Sequence, residues 1–141
     1  MAQKDTAVGM LIPLGVHALC CAANFAAFWN GDITARYVMI SVLYVLFGFW
    51  YPWAARRLPC AWATTAAIAG LLAVTALLAN VVKDVWIDGF GVLFVFWAVL
   101  GPPPSGAFLW MPRVGLLALA VYALLWLLYL LALRRKIRKE T

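Results

Sequence analysis

Charged residues are scarce in this chain. Lysine, arginine, aspartate and glutamate together make up 11% of its 141 residues, whereas roughly a quarter of the residues in a soluble domain are charged. Hydrophobic residues make up 67%, and they occur in stretches long enough to cross the hydrocarbon core of a bilayer. The composition therefore excludes an ordinary soluble domain and predicts an integral membrane protein with a single membrane domain over residues 1–141.

Residue types that commonly carry catalysis or bind metal ions are also few. The chain has five acidic residues, three cysteines and one histidine. Cys20 and Cys21 are neighbours in an apolar stretch, where cysteine behaves as a small hydrophobic residue. The sequence contains no nucleotide-binding glycine pattern, metalloprotease helix or serine nucleophile turn. We therefore expect no catalytic residue, no metal site and no cofactor, and favour a non-enzymatic protein.

Four uncharged stretches predict membrane spans, at about residues 7–29, 37–53, 60–82 and 114–133. The last stretch is followed by five basic residues within 134–141. Because basic clusters next to a span prefer the cytoplasmic side, residues 134–141 are expected to form a basic cytoplasmic tail. A cleaved signal peptide is the alternative for residues 7–29, but this stretch is longer than a typical signal core.

Residues 86–112 do not fit a simple span. Apolar residues flank the run Pro102-Pro103-Pro104-Ser105-Gly106, and proline both lacks a backbone donor and disfavours the helical region for the residue before it. The sequence therefore predicts that this run breaks any helix. We interpret 86–112 as a half-inserted, re-entrant or surface segment, which predicts an all-α fold, an integral membrane four-helix bundle with this segment added. The alternative is five transmembrane helices, with Trp86–Leu100 as a short span.

Positive charge favours four spans over five. With four spans both termini are cytoplasmic, and eight basic residues lie inside against three outside; with five spans the balance falls to seven against four. An excess of lysine and arginine on the cytoplasmic side is the general rule for membrane proteins. The expected location is therefore a bacterial-type inner or plasma membrane with both termini in the cytoplasm.

Small residues recur at helical spacing in the first and third spans. Such stripes let helices approach closely in lipid, and we expect them to form the tight contact of the bundle. The stripes are Ala18, Ala22 and Ala26 in the first span, and the pairs Ala63/Ala67 and Ala66/Gly70 in the third.

Polar residues share one face of the first span. His17, Cys20, Cys21 and Asn24 recur at helical spacing, and polar groups inside a membrane are costly enough to suggest a function. They could line a cavity that opens at an external mouth, or they could be hydrogen-bonding contacts between helices. For His17 the second interpretation is a neutral imidazole bonded across the bundle. The candidate ligand-binding residues are His17, Asn24, Asp32, Arg36, Asp84 and Asp88.

Two functions fit these features. We favour a small accessory or transport-type subunit acting with copies of itself or with a larger membrane partner. The alternative is a lipid- or small-amphiphile-binding protein, or an enzyme on such a substrate, with a pocket open to the outer leaflet and reaching His17 between spans 1 and 3. The expected partners are membrane lipid and a homo-oligomer or larger protein, while the basic residues are interpreted as a topology signal and not as a nucleic-acid site.

Overall fold

The computed structural model describes residues 2–81, 91–111 and 114–140, and these residues form helices without any strand. The helices in chain order are α1 (Ala2–Asn30), α2 (Ala35–Ala54), α3 (Pro59–Val81), α4 (Gly91–Leu100), α5 (Pro102–Ser105) and α6 (Gly115–Glu140). Four of them, α1, α2, α3 and α6, are long and apolar enough to cross a membrane. The prediction of an all-α chain with four such helices is confirmed.

A short turn joins α1 to α2. Gly31 has a φ angle of 71°, a left-handed conformation that glycine adopts without a steric penalty. The helix that follows is capped by Thr34, whose Oγ1 accepts a hydrogen bond of 3.2 Å from the backbone amide of Tyr37. A threonine cap of this kind satisfies one of the amides that the first turn of a helix leaves unpaired.

Contacts between helices define two ends of the bundle. At the basic end, formed by residues 2–9, 51–62 and 130–140, the Trp62 Nε1 donates to the Leu130 carbonyl at 2.6 Å. At the Asp32 end, formed by residues 28–37, 80–81 and 114–116, the Asn80 Nδ2 donates to the Leu116 carbonyl at 3.1 Å. The end of α3 therefore lies beside the start of α6.

Trp126 occupies the centre of the bundle. Its side chain is 1% exposed, its ring stacks on Tyr122 and meets the edge of Tyr44, and its Nε1 donates to the Gly48 carbonyl at 2.9 Å. A Cβ atom at Gly48 would lie 2.7 Å from the indole ring. Close packing of α2 on α6 therefore requires glycine at this position.

The alanine contacts of α3 differ from those predicted. α3 packs most extensively against α6 and next against α1, so the expected pair of helices does meet. Its buried alanines, however, are Ala61, Ala69, Ala73, Ala76 and Ala79. The predicted stripes point outward: Ala18, Ala22, Ala26, Ala63 and Ala67 are exposed, and Ala66 and Gly70 are partly exposed.

The physical reason lies in the rotation of α1. His17 and Asn24 must be buried because their polar groups need partners away from lipid. Ala18, Ala22 and Ala26 lie about 140° around an ideal helix from that polar face. Burying the polar face of α1 therefore turns its alanine stripe outward.

Replacing Gly48 with alanine should destabilise the bundle, because the added methyl group overlaps the Trp126 ring. We expect a loss of about 1–3 kcal/mol in the free energy of unfolding, measured by SDS titration in mixed micelles with far-ultraviolet circular dichroism. Gly70→Ala is the matched control, since no other helix in the described part of the chain comes within 4 Å of a Cβ there; it should leave stability unchanged or raise it slightly. Equal stability of the two variants would contradict this packing.

Candidate functional site

The buried polar face of α1 contacts the segment formed by α4 and α5. His17 is 8% exposed and Asn24 is fully buried. α4 packs against α3 and α1, and α5 packs against α1 and α2. The segment thus passes from α3 across α1 to α2, in the half of the bundle nearer the Asp32 end. We call residues 97–106 the proline segment.

Three consecutive prolines remove hydrogen bonds from the proline segment but leave its backbone helical. Sequence reasoning expected no helix here, yet Pro102–Ser105 forms α5. The backbone remains helical because the Gly101 amide donates to the Trp97 carbonyl at 2.9 Å and the Ser105 amide donates to the Gly101 carbonyl at 3.2 Å. The prolines, however, cannot supply the amides that a regular helix would direct at the carbonyls four residues earlier, those of residues 98, 99 and 100.

Side chains of α1 supply donors to this segment. Three of them donate to its carbonyl oxygens: His17 to Val99 at 3.0 Å, Cys21 to Ala98 at 3.8 Å and Asn24 to Pro102 at 3.2 Å. Positions 17, 21 and 24 share one face of a helix, so a single rotation of α1 presents all three. Neighbouring helices commonly satisfy backbone groups that proline frees inside a membrane protein.

The partners of His17 define its tautomer. A carbonyl oxygen can only accept, so Nε2 carries the hydrogen that is donated to Val99. In the neutral imidazole Nδ1 is then an acceptor, and it lies 2.7 Å from the hydroxyl of Tyr44, which donates to it. His17 therefore links α1 to both α2 and the proline segment, which agrees with the interpretation of a neutral imidazole bonded across the bundle.

The two neighbouring cysteines have different surroundings. Cys20 packs against the hydrophobic core, whereas Cys21 contacts the Ala98 carbonyl. This divergence follows from the 100° or so that separates adjacent positions on a helix. Within residues 2–81, 91–111 and 114–140, no three histidine, cysteine or acidic side chains are grouped so that they could hold a metal ion.

Side chains of α2 hold the other side of the proline segment. The Ser41 Oγ accepts from the Asn24 Nδ2 and from the Gly106 amide, each at 3.0 Å, and the Tyr37 hydroxyl is hydrogen-bonded to the Ser105 Oγ. A Cβ atom at Gly106 would lie 2.6 Å from the Ser41 Oγ. The close approach of α5 to α2 therefore depends on glycine at position 106 and on the serine opposite it.

The structure brings together only part of the predicted site. His17 and Asn24 contact the same segment, whereas Asp32 and Arg36 are exposed at the Asp32 end. Asp84 and Asp88 lie outside the described residues.

Sequence reasoning missed several residues of this site, namely Tyr37, Tyr44 and Ser105, and did not include Ser41 among the candidates. A signal for the α2 residues was present. Tyr37, Ser41, Tyr44 and Gly48 recur at spacings of four, three and four, and all four are buried. That spacing marks one face of a helix, and it was obscured by the many aromatic residues elsewhere in the span.

A small cavity between α1, α2, α3 and α6, lined by residues that include Pro13, Tyr44 and Thr65, has room for only about 10 Å³, and two larger grooves do not include His17 in their lining. One of about 450 Å³ lies between α2 and α6 and includes Phe49, Phe108 and Tyr122 in its lining. Another of about 530 Å³ lies at the loop between α2 and α3 and is lined by residues 53–58. Neither is the predicted pocket between the first and third spans.

A double-mutant cycle tests the link between His17 and the prolines. His17→Phe should cost about 1–3 kcal/mol in the free energy of unfolding, because it leaves the Val99 carbonyl without its donor in apolar surroundings. Pro103→Ala restores a backbone amide four residues after Val99, so the cost of His17→Phe should fall by about 1 kcal/mol in that background. Asn24→Leu is the control, since Asn24 donates to other partners and its cost should not be relieved. Additive effects of His17→Phe and Pro103→Ala would contradict the assignment.

Hydrogen exchange at the Gly106 amide tests the contact between α2 and α5. Ser41→Ala removes its acceptor, so exchange in micelles should become about tenfold faster or more. Thr75→Val is the control, because the Thr75 hydroxyl donates within its own helix, to the Leu71 carbonyl at 2.7 Å. Unchanged exchange in Ser41→Ala, or an equal change in both variants, would contradict the contact.

Comparisons with known proteins do not assign this arrangement. A scan against protein-family models finds no match, and searches of curated proteins and of solved structures find none. The function is therefore argued from the contacts and surfaces of the chain itself.

Proposed function

We propose that the chain is a non-enzymatic membrane subunit, of accessory or transport type, that assembles with copies of itself or with a larger membrane protein. His17, Asn24 and Ser41 support this proposal because they are engaged with the chain's own helices and backbone. They therefore act as structural contacts between helices. The surface available for assembly is the outward face of α1.

The outward face of α1 is the single observation that carries the proposal. Only 17% of the residues in the apolar stretch of α1 that could span a membrane are buried, against 44% in the corresponding stretch of α3. The exposed residues include a row of small ones at helical spacing, Gly15, Ala18, Ala22 and Ala26, and no other described helix comes within 4 Å of a Cβ built at Gly15. In lipid, such a row lets a second helix approach closely enough for van der Waals packing to hold the pair.

Charge and length support the placement in a membrane. Arg56, Arg57 and the tail residues 134–139 lie at the basic end, whereas Arg36 lies at the other. The positive-inside rule then puts the basic end, with both termini, in the cytoplasm of a bacterial-type inner or plasma membrane. α4 and α5 form a half-inserted segment from the external side, and the burial of α5 against α1 and α2 is the condition under which irregular backbone persists inside a bilayer.

A second candidate function is the binding of a lipid or small amphiphile. The apolar groove between α2 and α6 favours it, because its volume of about 450 Å³ is in the range of ligand pockets. Tyr122 lines this groove, and its buried hydroxyl has no hydrogen-bond partner within the described residues. This candidate places the pocket on the side of α6, away from the His17 site expected from the sequence.

Self-association in liposomes tests the favoured proposal. Copies labelled with donor and acceptor dyes should show energy transfer that falls with dilution into lipid. Ala18→Ile and Ala22→Ile should each weaken association about tenfold or more, because the added side chain holds the partner helix away. Ala132→Ile on α6 is the matched control, since Ala132 is also exposed, and it should leave association unchanged.

Two results would contradict the role of this face in self-association. One is a wild-type chain that stays monomeric at every protein-to-lipid ratio. The other is a loss of association that is as large for Ala132→Ile as for the α1 variants, since a bulky side chain anywhere on the surface would then be sufficient to weaken association.

A further inference from the structure

The loop between α2 and α3 forms a groove at the basic end. It has a volume of about 530 Å³ and is lined by Trp53, Ala54, Ala55, Arg56, Arg57 and Leu58. Both arginines are exposed, and none of the six residues is acidic. From this groove we infer a binding site for the phosphate of an anionic phospholipid headgroup, with Arg56 and Arg57 as its principal contacts.

Arginine suits a phosphate ligand at this position. A guanidinium group presents a planar fork of donors that can bond two phosphate oxygens at once. The Arg56 guanidinium lies 5.2 Å from the centroid of the Trp53 ring, a cation–π contact that holds the side chain at the rim of the groove. The start of α3 at Pro59 follows directly, and the amino end of a helix adds positive potential for an anion.

A further arginine, Arg134, is held at the same end of the bundle. The Trp62 indole donates to the Leu130 carbonyl at 2.6 Å and carries the Arg134 guanidinium 4.3 Å above its ring. Trp62 follows Leu58 by four residues, so this contact brings the beginning of the tail to the same end of the bundle as the groove. Residues far apart in sequence therefore contribute positive charge to the same end of the bundle, which raises the local concentration of anionic lipid.

The aromatic residues indicate a lipid source for the phosphate. Trp50 and Trp53 are 60% and 51% exposed, although most large aromatic side chains near them are partly or fully buried. Exposed tryptophans at the end of a span lie at the level of lipid headgroups. A phosphodiester can thus contact the arginines while its acyl chains lie along the apolar surface of α2. The inference rests on the membrane placement of the proposed function and does not depend on self-association.

Native mass spectrometry of the whole chain in detergent tests the site. The probes are dioleoyl phosphatidylglycerol, its phosphatidylcholine counterpart and inorganic phosphate. The wild type should bind phosphatidylglycerol about tenfold or more tightly than phosphatidylcholine, and millimolar inorganic phosphate should not displace it. Arg56→Gln/Arg57→Gln should weaken phosphatidylglycerol binding about tenfold or more, since it removes the two guanidinium groups that contact the phosphate directly.

Lys136→Gln/Lys139→Gln is the matched control, because it removes the same charge from the tail and leaves the groove intact. It should weaken binding less than about threefold, because these lysines act on the phosphate only through screened charge and not through direct contact. Circular dichroism and size-exclusion chromatography confirm that each variant is folded before binding is compared. An equal loss in both double variants, no preference of the wild type for phosphatidylglycerol, or displacement by millimolar inorganic phosphate would overturn the site. A chain that binds the lipid but stays monomeric would contradict only the self-association proposal.

Discussion

Carbonyl oxygens deprived of their amides are the constraint on which this structure depends. Pro102, Pro103 and Pro104 cannot donate, so the helix that precedes them would leave carbonyls unpaired in an apolar interior. An unpaired backbone group away from water costs several kilocalories per mole in hydrocarbon. Side-chain donors on α1 offset part of this cost, because His17 reaches the Val99 carbonyl and Cys21 reaches the Ala98 carbonyl.

That requirement determines how the other helices are arranged. Turning His17 and Asn24 inward sets the rotation of α1 and exposes its alanine stripe. Asn24 also donates to Ser41, which in turn accepts from the Gly106 amide, so one amide side chain joins α1, α2 and the proline segment. The Tyr44 hydroxyl on His17 extends this network to the aromatic core around Trp126. The structural network and the surface proposed for assembly are therefore opposite faces of the same helix.

Length and hydrophobicity were sufficient to predict the helical class and four helices long enough to span a membrane. Both properties can be read from the local sequence, and the other helices among the described residues, α4 and α5, are much shorter. The polar face of α1 was also visible, because a histidine and an asparagine in an apolar stretch stand out by type and spacing. The orientation of the alanine stripes was wrong because spacing alone does not say which of two small-residue faces is buried.

Other parts of the site depend on three-dimensional contacts that a single sequence does not encode locally. In the sequence Ser105 belongs to a run that predicts a helix break. Its role in the site comes from its position opposite Tyr37, to which it is hydrogen-bonded. The α5 helix was missed because proline rules describe lost donors and local strain, and here donors from another helix replace what the prolines remove. The groove at Arg56 and Arg57 was interpreted only as a topology signal, since its concave shape arises from the fold of the loop.

The most direct test of the central claim is nitrogen-15 NMR of the imidazole of His17 in the membrane-embedded protein. Because His17 is the only histidine, its two ring nitrogens can be observed without ambiguity. The account predicts a neutral ring with hydrogen on Nε2, no hydrogen on Nδ1, and a correlation from Nε2–H to the carbonyl carbon of Val99. A ring with hydrogen on Nδ1, or one that exchanges freely with water and shows no correlation to Val99, would contradict it.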